Sequence, residues 1–364
     1  MGLPRFQDAA LTPIYEKVAA AERLERQDGL TLFHSPDLLG VGALAQMVRQ
    51  RFHGRKAYYI YNQHLNYSNI CVNGCKFCAF GRRAGEPGAY EMTLKEIFAK
   101  VVARLQEPIT EIHIEGGCHP DLPFEYYLDM LRGIKALRPE VHLQAFTAVE
   151  VAHLAGIAGM DVAETLLALK NAGLGSLPGG GAEVFSSRVR QSLCPTKLSP
   201  QGWLAVSQTA HRLGLNTNAT MLYGHIETLE ERVEHLLSLR AAQDESGGFL
   251  TFIPLAFHPH HTQLRDLNGP SALDDLKTLA VARLLLDNFP HIKAFWVMLG
   301  PKLAQISLCF GVDDVDGTVM EERITHMAGA QTPQGLTRAQ LRALIREAGC
   351  EPVERDTLYR VIAA

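Results

Sequence analysis

The stretch SNICVNGCKFCAFG, residues 68–81, sets Cys71, Cys75 and Cys78 within eight positions, in the spacing C-x-x-x-C-x-x-C. Thiolates are metal ligands and redox groups, and three this close read as a set. A structural zinc site takes four protein ligands in two separated pairs. Here Cys118, Cys194, Cys309 and Cys350 each stand alone, with no second C-x-x-C. A [4Fe–4S] cluster on three thiolates leaves one iron open to an external ligand, so three is a functional number in iron–sulfur chemistry. Zinc completed by His64 or His119, and a redox pair of Cys75 and Cys78, remain open at this point. His64, His119, His225 and His258 fall at or near expected strand ends, where each can serve as acid, base or hydrogen-bond donor. The HPHH run at 258–261 is not read as a metal site, because Pro259 breaks the spacing and no carboxylate completes it. SLPGGGAEVF (176–185) offers a glycine run and Glu183, but it lacks the G-x-x-x-x-G-K-[ST] pattern of a phosphate loop.

These groups need a frame that gathers strand ends on one face. Ala57–Asn62, rich in aromatic and β-branched residues, reads as a first strand running straight into the cysteine loop. Helical and strand patterns then alternate. Among the strands are TEIHIEGG (110–117), VHLQAFTA (141–148), NTNATMLYG (216–224), IKAFWVML (292–299) and a possible eighth, KLAQISLCFG (302–311). Seven or eight such repeats predict an α/β protein, a (β/α)8 TIM-type barrel with N- and C-terminal helical additions. An open doubly wound sheet would show a glycine turn after its first strand, and here a cysteine loop stands there. The expected organisation is one domain: a helical extension over 1–54, the barrel over 55–320 and a helical tail over 321–364. A barrel works at the C-terminal ends of its strands, where the cysteine loop falls. Alternation puts His113 and Glu115 on the inner face of their strand, and Asn216, Asn218 and Thr220 on one face of theirs. With 35 Lys and Arg against 39 Asp and Glu, the formal charge of −4 gives no basis for a nucleic-acid or anionic-membrane surface. The N-terminus has no apolar signal region, and no apolar run reaches about 18 residues. A soluble, cytoplasmic protein is expected, its seven cysteines reduced or metal-bound.

C-x-x-x-C-x-aromatic-C, with Phe77 in the aromatic slot, resembles the signature of the radical S-adenosylmethionine (radical SAM) superfamily. The resemblance implies a [4Fe–4S] cluster on Cys71, Cys75 and Cys78, with S-adenosylmethionine on the fourth iron and cleaved by one electron to methionine and a 5′-deoxyadenosyl radical. It places Phe77 against the adenine. Glu115-Gly116-Gly117 resembles the superfamily's G-G-E-like turn at the methionine amino group, and Glu183 falls on the strand that passes the ribose.

Residues 30 to 330 resemble the aminofutalosine synthases of the futalosine route to menaquinone. The phrases that carry this are HIEGGCHPDLPFEYY, HLQAFTAVE, SLPGGGAEVFSSRVR, TNATMLYGHIET and TFIPLAFHP. The related cyclase and deazaflavin synthases typically read Q-G-G at Glu115-Gly116-Gly117, and the cyclase tends to F-I-P-W and then a non-His residue near Ile253 to His258. Gln63 departs from the pattern, since N-R-H is expected where the chain reads Asn62-Gln63-His64. The implied reaction adds the adenosyl radical to the enol ether of 3-[(1-carboxyvinyl)oxy]benzoate, with rearrangement and decarboxylation, to give 6-amino-6-deoxyfutalosine. S-adenosylmethionine would be consumed as a co-substrate, and a flavodoxin- or ferredoxin-type donor would supply the electron. His64, His119, His258 and Asn218 are the catalytic candidates; Arg82, Arg188 and Arg190 lie near the right loops to meet substrate carboxylates, though surface salt bridging is the commoner role for any one of them. Two other readings stand beside this one. They are a cyclase-like or deazaflavin-synthase-like enzyme that begins by hydrogen abstraction, and a non-catalytic iron–sulfur or zinc protein.

Overall fold

Ten strands organise the described residues of the computed structural model: β1 (Lys56–Ile60), β2 (Asn62–Leu65), β3 (Glu111–Ile114), β4 (His142–Ala145), β5 (Ser176–Leu177), β6 (Asn216–Tyr223), β7 (Phe249–Ala256), β8 (His291–Ile292), β9 (Asp314–Gly317) and β10 (Glu351–Arg355). The structure describes residues 6–362; residues 1–5 and 363–364, at the ends of the expected extension and tail, lie outside the described residues. Strands β2 to β8 form one parallel sheet in sequence order, so each strand lies beside its successor, as in a barrel wall. Helices connect them, and several carry their own start signal. Thr93, Thr147, Asp161 and Thr228 each accept from the third backbone N–H of a helix while a glutamate there reaches back, a reciprocal cap.

The eighth position of the wall is not the strand expected at 302–311. That segment is the helix Pro301–Ser307, opened by Pro301 after Gly300. Its buried residues Ala304 and Ser307, with Leu308 just past its end, follow helical rather than alternating spacing. The span from 313 to 320 fills the gap instead. On one side the Ala294 N–H donates to Asp314 O at 2.8 Å, and on the other the His64 N–H donates to Met320 O at 2.8 Å. Asp316 (φ 66) and Val319 (φ 47) are left-handed, which keeps this span from forming a regular ladder. The α/β barrel therefore stands, with seven regular strands and an irregular eighth.

Two further expectations shift. The aromatic run at 57–62 does form a strand, but β1 belongs to a separate three-stranded sheet, in the order β10-β1-β9. The wall begins at β2, whose four residues are all buried, with His64 facing the barrel interior and Gln63 on the opposite face. The tail is not purely helical: the helix Arg338–Glu347 is followed by β10, which pairs in parallel with β1. Likewise only the first residues of 292–299 are extended, and Trp296–Leu299 is a short helix whose Trp296 Nε1 donates to Gly317 O at 2.8 Å. Before β1 run the helices Leu11–Ala19, Arg26–His34 and Leu38–His53, the last capped by Asp37 and stopped at Gly54 (φ 58). Among the described residues no single helix is long and apolar enough to cross a membrane.

Candidate active site

The loop after β2 is wound tightly enough to aim three thiols one way. The Asn69 side chain donates to Gly88 O at 2.9 Å and accepts from the Tyr90 N–H at 2.8 Å. Arg82 donates to the carbonyls of Ala79 and Gly81 at 2.7 and 2.8 Å, and Arg83 to those of Cys71 and Val72 at 3.0 and 2.7 Å. Cys71, Cys75 and Cys78 then line one cavity of about 240 Å³ together with Phe77, Glu115 and Glu183. Backbone N–H groups already point at sulfur: Gly81 to Cys78 at 3.2 Å and Asn73 to Cys71 at 3.5 Å. A hydrogen bond from the Cys118 thiol, helped by the Asn73 N–H, brings Cys71 down to about 5. Cys118 lines the same cavity beside Cys71, Cys194 adjoins Cys75 from outside it, and both are buried. Three unpaired thiols around a cavity, with N–H donors on two of them, fit a three-thiolate cluster.

Glu115, Gly116 and Gly117 pass this cavity in a turn that only glycine permits. A Cβ on Gly116 would stand 2.5 Å from the Tyr67 ring, and one on Gly117 would be driven into the Ile70 carbonyl oxygen. Glu150 fixes the turn from below. Its Oε1 accepts from the Gly116 N–H at 3.0 Å and the Tyr67 hydroxyl at 2.9 Å, while Oε2 accepts from the Thr147 N–H and hydroxyl, both at 2.8 Å. Burial, reinforced by Glu115, pushes the Glu150 carboxyl up to about 7. Glu183 sits in left-handed backbone (φ 53), and its Oε1 pairs with Lys197 Nζ at 2.6 Å. Lys197 also lies 5.6 Å over the Phe77 ring.

A second cavity, of about 120 Å³, opens into the barrel interior, where polar side chains from several strands meet the apolar Ile253, Leu255, Phe295 and Met298. Glu111, His113 and Glu115 project into it from one face of β3, while Ile112 and Ile114 pack on the other side. His64 stacks on His113 with ring centroids 4.5 Å apart. Burial first, then His113 and Lys293, lowers His64 and keeps it neutral. For His113 burial works against the charged form, yet Glu115 at 3.3 Å and Glu111 at 3.9 Å outweigh it and push His113 up to about 9. Asn218 and Thr220 line the same space, Asn218 Nδ2 lying 3.4 Å from Gln144 Oε1 and Thr220 donating to Gly179 O at 2.6 Å. Asn216 turns away to Gly248 O.

The other candidates fall as follows. His258 borders the thiol cavity, its Nε2 3.0 Å from Met298 O, and burial lowers it. His119 lines neither cavity: its Nδ1 accepts from the N–H groups of Asp121 and Leu122 at 3.1 Å, and its Nε2 lies 2.8 Å from Glu91. His225 is buried against Glu227 at 2.8 Å, away from both cavities. The three arginines take the commoner, structural role of the two open to them. Arg82 is spent on its own loop, Arg188 pairs with Glu231 at the surface, and Arg190 holds the carbonyls of Ala182 and Leu198. No arginine lines either cavity among the described residues. The cations present there are His113, Lys197 and Lys293, and neither lysine was singled out from the sequence. Glu150 was legible as the fourth residue of a T-x-x-E cap at Thr147, though not as a brace for the glycine turn.

The radical SAM superfamily model matches residues 65–239 of the chain, and the CofH/MqnC C-terminal region model matches residues 246–363. The chain is 53% identical over 361 residues to an aminodeoxyfutalosine synthase of Thermus thermophilus, covering 98% of this chain and 97% of that one. It is 40% identical over 323 residues to a 5-amino-6-(D-ribitylamino)uracil–L-tyrosine 4-hydroxyphenyl transferase of Methanopyrus kandleri, covering 87% and 88%. A crystal structure of methylornithine synthase shares the fold, with a TM-score of 0.71 at 19% identity over 93% and 97% of the two chains. A parallel barrel wall with three thiols in the loop after its first strand defines a radical SAM enzyme, and this chain is one. Within that class it belongs to the aminodeoxyfutalosine synthase family, of the futalosine route to menaquinone.

Proposed function

We propose that the enzyme joins the 5′-deoxyadenosyl group of S-adenosylmethionine to 3-[(1-carboxyvinyl)oxy]benzoate, releasing methionine, then loses the former pyruvyl carboxylate as bicarbonate with return of the electron, and yields 6-amino-6-deoxyfutalosine. Cys71, Cys75 and Cys78 hold a [4Fe–4S] cluster, and S-adenosylmethionine is consumed as a co-substrate. When bound, the cluster supplies the electron that splits the sulfonium, an electron delivered by a flavodoxin- or ferredoxin-type carrier. The Glu115–Gly117 turn receives the methionine amino group and Phe77 faces the adenine. Glu183, steadied by Lys197, offers its other oxygen to the ribose. The second substrate occupies the inner cavity with its vinyl end toward the thiols. Neutral His64 and Asn218 hydrogen-bond it there, and His258 closes the side shared with Met298. His119 steadies the loop beyond the glycine turn without touching substrate. The protein's contribution is to hold both reactants in register and exclude water, since the cofactor carries the hard chemistry.

One observation carries this reading: the two cavities adjoin. Glu115, Gly180, Leu255, Met298, Ile324 and Thr325 line both, so a group held over the thiols lies beside the space for a second reactant. The choice of substrate rests on likeness to the Thermus synthase along nearly the whole chain. The test is anaerobic: reconstitute the enzyme, reduce it, add both substrates, and analyse products by mass spectrometry beside a Cys75→Ala control. A nucleoside joining the adenosyl and benzoate parts, absent from the control, is the expected product. Release of 5′-deoxyadenosine alone would move the chain to the hydrogen-abstracting relatives.

A further inference from the structure

A buried ammonium is costly unless anions or several acceptors meet it. The two lysines of the adjoining cavities are treated differently in this respect. Lys197 is bonded to Glu183 at 2.6 Å. Lys293 is only 7% exposed, yet its Nζ makes no hydrogen bond among the described residues. The nearest carboxylate oxygen, Asp316 Oδ1, stands 3.6 Å away, beyond hydrogen-bond distance. All three donors are therefore idle, and the side chain lines the inner cavity and not the thiol cavity. Asp316 is a poor permanent partner. It is held in left-handed backbone at φ 66, and burial, against the pull of Lys293, pushes its carboxyl up toward the neutral form. The remaining cation of the inner cavity, His113, already lies between Glu111 and Glu115.

We infer that Lys293 is the carboxylate anchor of the inner cavity and fixes the ring carboxylate of an aryl substrate. Which carboxylate it takes rests on the proposed function. The vinyl ether must face the thiol cavity, so the benzoate end is the one that reaches Lys293. An ammonium with three free donors suits a carboxylate approached end-on, and none of the arginines is available for it. Lys293 thus sets both the orientation of the ring and the preference for a dianionic substrate.

Benzoate is the probe, titrated by calorimetry into anaerobically reconstituted wild type, K293M and D316N. Wild type is expected to bind it. K293M should weaken binding on the order of 10- to 100-fold, as loss of a charge-assisted hydrogen bond does. D316N removes a competing carboxylate, keeps a residue tolerant of left-handed backbone, and should bind at least as tightly as wild type. Iron content, and the change in the cluster's electron paramagnetic resonance on adding S-adenosylmethionine, should be unaltered in both variants. In turnover, K293M should raise KM for 3-[(1-carboxyvinyl)oxy]benzoate by the same factor. The KM for 2-phenoxyacrylate, which lacks the ring carboxylate, should stay within ~3-fold. No benzoate binding by wild type, equal binding by wild type and K293M, or equal loss for both substrates would overturn the inference. Should K293M fail to take up iron, D316N decides, and weaker benzoate binding there overturns it. Benzoate held through Lys293 in an enzyme that makes no nucleoside adduct would sink the proposed function and leave the anchor standing.

Discussion

His113 is charged where most buried histidines are not, and its two carboxylates are the reason. Glu111 and Glu115 flank it on one strand face, and their combined field beats the cost of burial, lifting it from 6.5 to about 9. A raised folded value means that its stabilising contribution is complete below pH 6.5 and disappears as pH climbs through about 9. The stability difference between wild type and His113→Gln should therefore be constant below pH 6.5 and shrink toward pH 9, measured by chemical unfolding at several pH values. A gap that widens with pH would mean that the carboxylates do not hold the proton. At this scale much of the site was legible. The thiol spacing and the alternation of His113 and Glu115 both report side-chain direction from local rules. Lys293 was not, because a lone lysine at the head of an apolar run looks like any strand end. Its idle donors appear only when the facing residues, Asp316 and the polar lining from four strands, are in place.

At the scale of elements, the cysteine loop and the glycine turn lock against each other. Gly117 donates its N–H to Ser68 O at 2.8 Å, the Val72 N–H donates to Cys118 O at 3.0 Å, and there is no room for a methyl group between Gly117 and Ile70. Gly117→Ala must push the two segments apart. It should lower the iron bound per chain after reconstitution to less than about half of wild type, while the far-ultraviolet circular dichroism of the barrel is kept, because the strain is local. Full iron loading in that variant would show that the turn does not position the thiols. The elements were legible wherever one periodicity ruled. Amphipathic helices with T-x-x-E caps and the apolar strands of the wall announce themselves. β2 did not, since Asn62, Gln63 and His64 are polar and fully enclosed, the reverse of the pattern that marks a strand beside a core. The eighth position escaped for a related reason. A span with left-handed residues at 316 and 319 has no period to read, and a helix with apolar residues on two sides resembles a strand in sequence instead.

The whole molecule is closed from beneath by charge. Under the barrel, Arg283 pairs with Asp313 in full burial, and Asp313 also accepts from His291 Nδ1 at 2.6 Å and from the Ile292 N–H at 2.9 Å. Burial opposes the Asp313 charge, but His291 and Arg283 hold its carboxyl well below the usual range. Its contribution is therefore present above the unfolded value of about 3.9 and is lost as pH falls below it. Asp313→Ala strands a buried guanidinium and should cost about 3–5 kcal/mol, read from urea unfolding at neutral pH. A loss under about 1 kcal/mol would mean that the network is no clamp. The opposite, C-terminal face carries the two adjoining cavities, the face at which barrel enzymes work. That one face adds an adenosyl carbon to a second substrate is the central claim, and the fate of that carbon tests it most directly. S-adenosylmethionine labelled with carbon-13 at C5′ should leave its label in a nucleoside that also contains the benzoate ring after a single anaerobic turnover. Label recovered wholly as the methyl group of 5′-deoxyadenosine, with the benzoate substrate unjoined, would contradict the account.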